Sequence, residues 1–141
     1  MSVVEGSRLP QVALAFMNED HARAESLLQR LEAMIANAAT DRESREEIGR
    51  LLAALYEHCQ QHFAHEEREM ERVNFPALAC HQGEHARVIA QMDQACRQWR
   101  AAGDVGHLYE YLSILPDWLR NHVATMDHVT AEFVSRHDEV S

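Results

Sequence analysis

Three features of the sequence predict an all-α chain, folded as an up-down-up-down antiparallel four-helix bundle with an N-terminal arm. Apolar residues recur every three or four positions along four long stretches. Turn formers are scarce, with five Gly and three Pro, which favours a few long helices over many strands. The links between the stretches are short, as antiparallel neighbours require. A length of 141 residues suits one domain, 1–141, with a core of its own.

Residues 1–17 read as the arm, with Pro10 early and Val12, Leu14 and Phe16 available to pack on the bundle. Asn18 is expected to cap a first helix over about 19–38, with Glu19 and Asp20 favoured near its dipole. Its stripe is Met17, His21, Ala24, Leu28, Leu31, Ile35 and Ala38. Thr40 or Asp41 would cap a second helix over about 42–73. Its stripe runs Ile48, Leu51, Leu52, Leu55, Cys59, His62, Phe63, Glu66, Met70 and Val73. Asn74-Phe75-Pro76 breaks the chain, and Pro76 suits the first turn of a third helix over about 77–102. There the stripe reads Leu78, His81, His85, Val88, Met92, Cys96 and Trp99, and Gly103 gives the stop. The last helix, about 107–135, carries Leu108, Tyr111, Leu112, Leu115, Leu119, His122, Met126, Val129 and Phe133. Pro116 falls inside it and predicts a kink or the loss of its first turns.

Acidic residues outnumber basic ones, 23 to 13, for a net charge of -10. With no basic cluster, nucleic acid is repelled and an anionic membrane surface is excluded as a partner. The opening MSVVEGSRLPQ lacks the charged and apolar regions of a signal peptide, and no apolar run is long enough to span a bilayer. Cys59, Cys80 and Cys96 are odd in number and form no CxxC pair. The expectation is therefore buried, reduced thiols in a cytoplasmic protein.

The anomaly is histidine, ten in 141 residues. Each helix places at least one on its apolar stripe: His21, His62, His81 with His85, and His122. Residues four apart differ by only about 40° around a helix and stack on one face. His62 with Glu66, and His81 with His85, are such pairs. Asp127 follows His122 by five positions, a rotation of about 140° in an α-helix, so it would have to reach around toward a second ion. One histidine in an apolar stripe is ordinarily a hydrogen-bonded core residue. Five imidazoles and two carboxylates are another matter, because burying them without partners costs several kcal/mol, on the order of a few for each group. Seven groups are too many for one ion, and two ions bridged by both carboxylates use them all. Mixed imidazole and carboxylate ligands suit zinc, copper, nickel or iron.

His65, His107, His128 and His137 fall off the stripes and are expected in solvent. His58 stacks four residues before His62, and both a solvated role and one orienting a ligand stay open. No HExxH and no Glu-x-x-His pair is present, which removes the zinc-protease and ferritin-like patterns. Neutral nitrogen ligands leave less negative charge on the metals than an oxygen-rich set. High-valent chemistry is thereby disfavoured and reversible binding favoured.

The order His21, His62-x-x-x-Glu66, His81-x-x-x-His85, His122-x-x-x-x-Asp127 resembles the hemerythrin signature, and the HFxxEExxM and DWLxxHV segments resemble bacterial hemerythrins. The likeness spans roughly 14 to 135. It implies two iron ions with a bridging oxo or hydroxo group, one held by His81, His85 and His122 and the other by His21 and His62. Glu66 and Asp127 would bridge them, and dioxygen would bind where the second iron is a ligand short. Phe63, Trp118, Leu119 and Val123 match positions of a dry oxygen pocket. The function implied is oxygen carriage, storage or delivery rather than catalysis, with an electron donor that re-reduces the iron. An oxygen or redox sensor, and an enzyme acting on peroxide or nitric oxide, are the alternatives. The arm lacks the tryptophan usual in the family, and Asn18 stands where the family often has Asp.

Overall fold

The computed structural model describes residues 9–37 and 41–140. They form α1 (Ala15–Ala36), α2 (Arg42–Arg72), α3 (Leu78–Ala102), α4 (Val105–His122) and α5 (His128–Val140), with a π-helical segment, Val123–Asp127, joining the last two. No strand occurs among the described residues. α1 packs on α2, α2 on α3, and α4 on α1 and α3, giving a helical bundle. None of these helices is long and apolar enough to cross a membrane.

The first helix starts earlier than its sequence suggests. Asn18 is not a cap: it sits inside α1, whose N-cap is Leu14. Its side chain instead clamps Val12, accepting the Val12 N–H at 2.8 Å and donating to the Val12 carbonyl at 2.9 Å. That clamp turns the preceding chain back on the bundle, where Leu9 is buried in the core. The first part of the expected arm, residues 1–8, lies outside the described residues, as do Ala38 and Thr40.

Local chemistry accounts for the other helix ends. Asp41 caps α2, accepting the Ser44 N–H at 3.2 Å and its hydroxyl at 2.6 Å. Beyond α2, Asn74 takes a left-handed φ of 53°, which a short polar side chain tolerates. Pro76 lies in the turn ahead of α3, not in its first turn. Gly103 ends α3 at φ 59°, its N–H donating 2.8 Å to the Trp99 carbonyl. A side chain there would be strained by the backbone and would meet the Arg45 guanidinium.

The last quarter of the chain corrects two expectations. α4 runs unbroken through Pro116, and its first turns are not split off. The irregularity comes later, where the π segment widens the helix by one residue. Thr125 donates its hydroxyl to the Asn121 carbonyl at 2.7 Å, occupying an acceptor in that widened turn. Every later position is thereby shifted on the buried face. Val129 is 57% exposed and Phe133 36%, against the core positions expected of them, whereas Asp127, Thr130, Ala131 and Val134 are buried.

Two apolar clusters result. The larger joins Leu27, Leu31, Leu55, Phe63, Leu119 and Val123 with their neighbours. The smaller holds Met70, Val73, Phe75 and Val134. Between them in the order of residues along α2, α3 and α4–α5 lies a layer of buried polar side chains.

Candidate metal centre

That layer consists of His21, His62, Glu66, His81, His85, His122, Asp127 and Thr130, none more than 6% exposed. All seven residues expected as ligands are in it. Glu66, His81, His85, His122 and Asp127 each offer a donor atom within 4.8 Å of the rest, and so do His21, His62, Glu66 and Asp127. Glu66 and Asp127 belong to both groups. The arrangement thus has two positions sharing two carboxylates.

Asp127 reaches its place by a route that α-helical geometry does not provide. In an i→i+5 turn, residues five apart stand over one another. Asp127 Oδ1 lies 3.1 Å from His122 Nε2 and 3.1 Å from His81 Nε2, and Oδ2 lies 3.0 Å from His21 Nε2. The 140° rotation expected of a plain helix is absent, and no reaching around is needed.

The outer edges of two imidazoles fix their protons. His62 Nδ1 faces the Asp20 carboxylate at 2.8 Å, and His85 Nδ1 faces Glu67 at 2.9 Å. His81 differs: its Nδ1 lies 3.0 Å from the Thr130 hydroxyl, which can donate or accept, and its Nε2 lies 3.1 Å from Asp127 Oδ1. For His62 and His85, Nδ1 must carry the hydrogen, because a carboxylate only accepts. Nε2 of a neutral ring is then a bare lone pair aimed inward.

What those lone pairs meet is more electron density. His62 Nε2 and His85 Nε2 sit 3.4 and 3.2 Å from Glu66 Oε1, within contact but without hydrogen-bond geometry. Both Glu66 oxygens lack a hydrogen-bond partner among the described residues. Buried polar atoms are rarely left so, and a cation is the species that converging acceptors fit. The donor set suits a transition metal.

The titration behaviour agrees. Burial pushes the His85 imidazole down to about 2, with His81 beside it adding to the effect. Burial also lowers His62, against the opposing bond to Asp20. Both are therefore neutral, the ligand form. Burial raises Glu66, and the Asp127 carboxylate raises it further. Burial opposes ionisation of Asp127 too, but the imidazoles of His122, His21 and His81 outweigh it and hold that carboxyl low.

The four expected pocket residues border the layer on its larger-cluster side. Phe63 stacks flat on His85, centroids 3.9 Å apart and planes 4° from parallel. Trp118 stacks on His122 at 4.7 Å and donates its indole N–H to Glu84 at 2.6 Å. Leu119 and Val123 are buried in the large cluster. His58 does not join the donor atoms; its Nε2 lies 2.9 Å from the Asp20 carbonyl, bracing the turn that carries Asp20. His65 is not solvated as expected, because Phe16 stacks on it at 3.9 Å. His107, His128 and His137 are exposed. All three cysteines are free, but Cys80 is exposed rather than buried, lying one residue off the inward-facing His81.

Asp20, Glu67 and Thr130 were not among the expected site residues. The two acids adjoin an expected ligand in sequence, at His21 and Glu66, and that adjacency at a helix interface is the signal that points to them.

The comparisons agree with this geometry. A family model described as the hemerythrin HHE cation binding domain matches residues 12–134. A bacteriohemerythrin of Ralstonia nicotianae is 30% identical, over 96% of this chain and 92% of its own length. One from Methylococcus capsulatus is also 30% identical, over 60% of this chain and 63% of its own. Another, of Stenotrophomonas maltophilia, is 25% identical over 89% of this chain and 78% of its own. A family match of that extent, over a polar layer with two positions sharing two carboxylates, places the chain in the hemerythrin family, among relatives of the bacterial kind.

Proposed function

We propose that this chain binds dioxygen reversibly at a non-haem di-iron centre, for carriage, storage or delivery, and that it is not an enzyme. The bundle would form a single up-down-up-down domain in the cytoplasm, served by an electron donor that returns the iron to its ferrous state. One observation carries the reading: inward-facing imidazole lone pairs converge on Glu66, itself without hydrogen-bond partners. Membership of the hemerythrin family supports iron as the metal.

His81, His85 and His122 would hold one iron, His21 and His62 the other, with Glu66 and Asp127 spanning both. When bound, ferrous iron supplies electrons that dioxygen accepts and gives back on release. The residues do the rest. Two tautomers, those of His62 and His85, are fixed from outside, so those nitrogens are set before any ion arrives. Phe63 and Val123, at 4% and 0% exposure, wall one side of the layer with hydrocarbon and exclude water. The imidazole majority keeps the ions short of anionic ligands, which favours release over onward oxidation.

The test is optical. Protein loaded with ferrous iron in the absence of air should gain a visible charge-transfer band when air is admitted, and lose it under argon. A band that persists under argon would exclude carriage. Absence of any band in iron-loaded protein would exclude the oxygen-binding reading altogether.

A further inference from the structure

We infer that Asp20 and Glu67 are positioning residues that each supply one outer negative charge to one of the two metal positions, so that affinity is set separately at each. The inference rests on the two-ion reading above and concerns how this chain holds such ions.

Two divalent cations bring four positive charges into an interior where Glu66 and Asp127 offer only two negative ones. Uncompensated charge in a low-dielectric site is costly. Asp20 and Glu67 are carboxylates placed to offset part of that excess. Each accepts the Nδ1–H of one ligand imidazole, at 2.8 and 2.9 Å, and each remains about a third exposed, 32% and 27%. They therefore keep much of their own hydration while their charge reaches inward through a single ring.

The distribution is selective. Asp20 on α1 supports His62 on α2, which belongs with His21 to the four-residue group. Glu67 on α2 supports His85 on α3, which belongs to the five-residue group. His81 has only a neutral hydroxyl behind it. His21 and His122 have buried Nδ1 atoms with no partner among the described residues. Each group thus contains one imidazole backed by a carboxylate. Glu67 is held further by Gln82, which donates to its other oxygen at 3.2 Å, and His58 braces the Asp20 turn.

Cobalt(II) is the probe, because its visible bands report each equivalent bound and its coordination. In competition titrations with a chelator, wild-type protein should take two equivalents. Asp20→Asn, which keeps an acceptor oxygen and removes the charge, should weaken one equivalent about 10- to 100-fold and leave the other in place. Glu67→Gln should weaken the other. In a His21→Ala background, where the first position is already disabled, adding Asp20→Asn should change the remaining equivalent little, while Glu67→Gln should still weaken it. A second readout needs no metal: nitrogen-15 NMR of the imidazoles should show His62 protonated at Nδ1 in wild type and in Asp20→Asn, and mixed tautomers in Asp20→Ala. Equal weakening of both equivalents by either variant, or of neither, would overturn the inference. A wild-type protein that takes fewer than two equivalents would remove the two-ion reading and the inference with it.

Discussion

The polar layer and the large apolar cluster beside it are built from the same helices, often from neighbouring turns, yet they obey opposite rules. In the cluster the aliphatic side chains are satisfied by contact alone; Leu31 and Leu55, at 0% and 2% exposure, need nothing but close neighbours. Burial of such a side chain stabilises by about 1.5–3 kcal/mol. In the layer burial is a cost, and the partners present do not meet it: Glu66 is 0% exposed with both oxygens unpartnered among the described residues. The cluster holds the bundle together. The layer opposes it, and on the two-ion reading a bound cation would reverse that cost.

The sharpest way to separate the regions is to shift the register of the layer without touching the cluster. One alanine inserted after Ala124 should rotate Asp127, Thr130 and Val134 by roughly 100° and abolish metal uptake, read by elemental analysis. Deleting Ala124, which is exposed, should turn the π segment into ordinary α-helix. His122 and Asp127 would then be four apart and still share a face, so uptake should survive. Loss in both variants would contradict the widened turn.

Metal itself comes next. Loading should stabilise the protein by about 4 kcal/mol for each ion bound at a free-metal concentration 1000-fold above its Kd, measured by urea unfolding with and without chelator. His122→Ala should lose that gain, having lost a ligand. Leu55→Ala should cost about 3 kcal/mol and cost it equally in loaded and metal-free protein, leaving metal stoichiometry unchanged. A strong dependence on metal would mean that the cluster and the layer are not separable.

The smallest effect belongs at the edge of the fold. The bonds from Ser44 hold the Asp41 carboxyl below its usual value. Stability from that cap is present above the unfolded-state pKa and disappears as pH falls through the lower folded value. Asp41→Ala should therefore lower Tm slightly at neutral pH, with the gap to wild type closing in acid.

Much of this contrast is legible in the sequence, since a period of 3.6 residues places the five buried histidines of the layer and Glu66 on apolar stripes. The histidines read easily because a polar residue in an apolar row is conspicuous. Downstream of His122 the reading fails, because an i→i+5 turn leaves no compositional trace and the α-helical period misplaces Val129 and Phe133. The His-x-x-x-x-Asp spacing was itself the clue: two ligands five apart require such a turn to share a face. Asp20 and Glu67 were missed for a related reason. Each lies about 100° from its neighbour on the stripe, a direction that looks solvent-facing until the adjoining helix is in place. Asn18 has the composition of a cap, but its bonds to Val12 let the helix begin earlier.

The most direct measurement is an anaerobic calorimetric titration of the metal-free protein with ferrous iron. Saturation is expected at two ions per chain, falling to no more than one when Glu66 is replaced by alanine, because that carboxylate belongs to both groups of donor atoms. Saturation at a single ion in the unaltered chain, or no uptake at all, would contradict the two-ion reading.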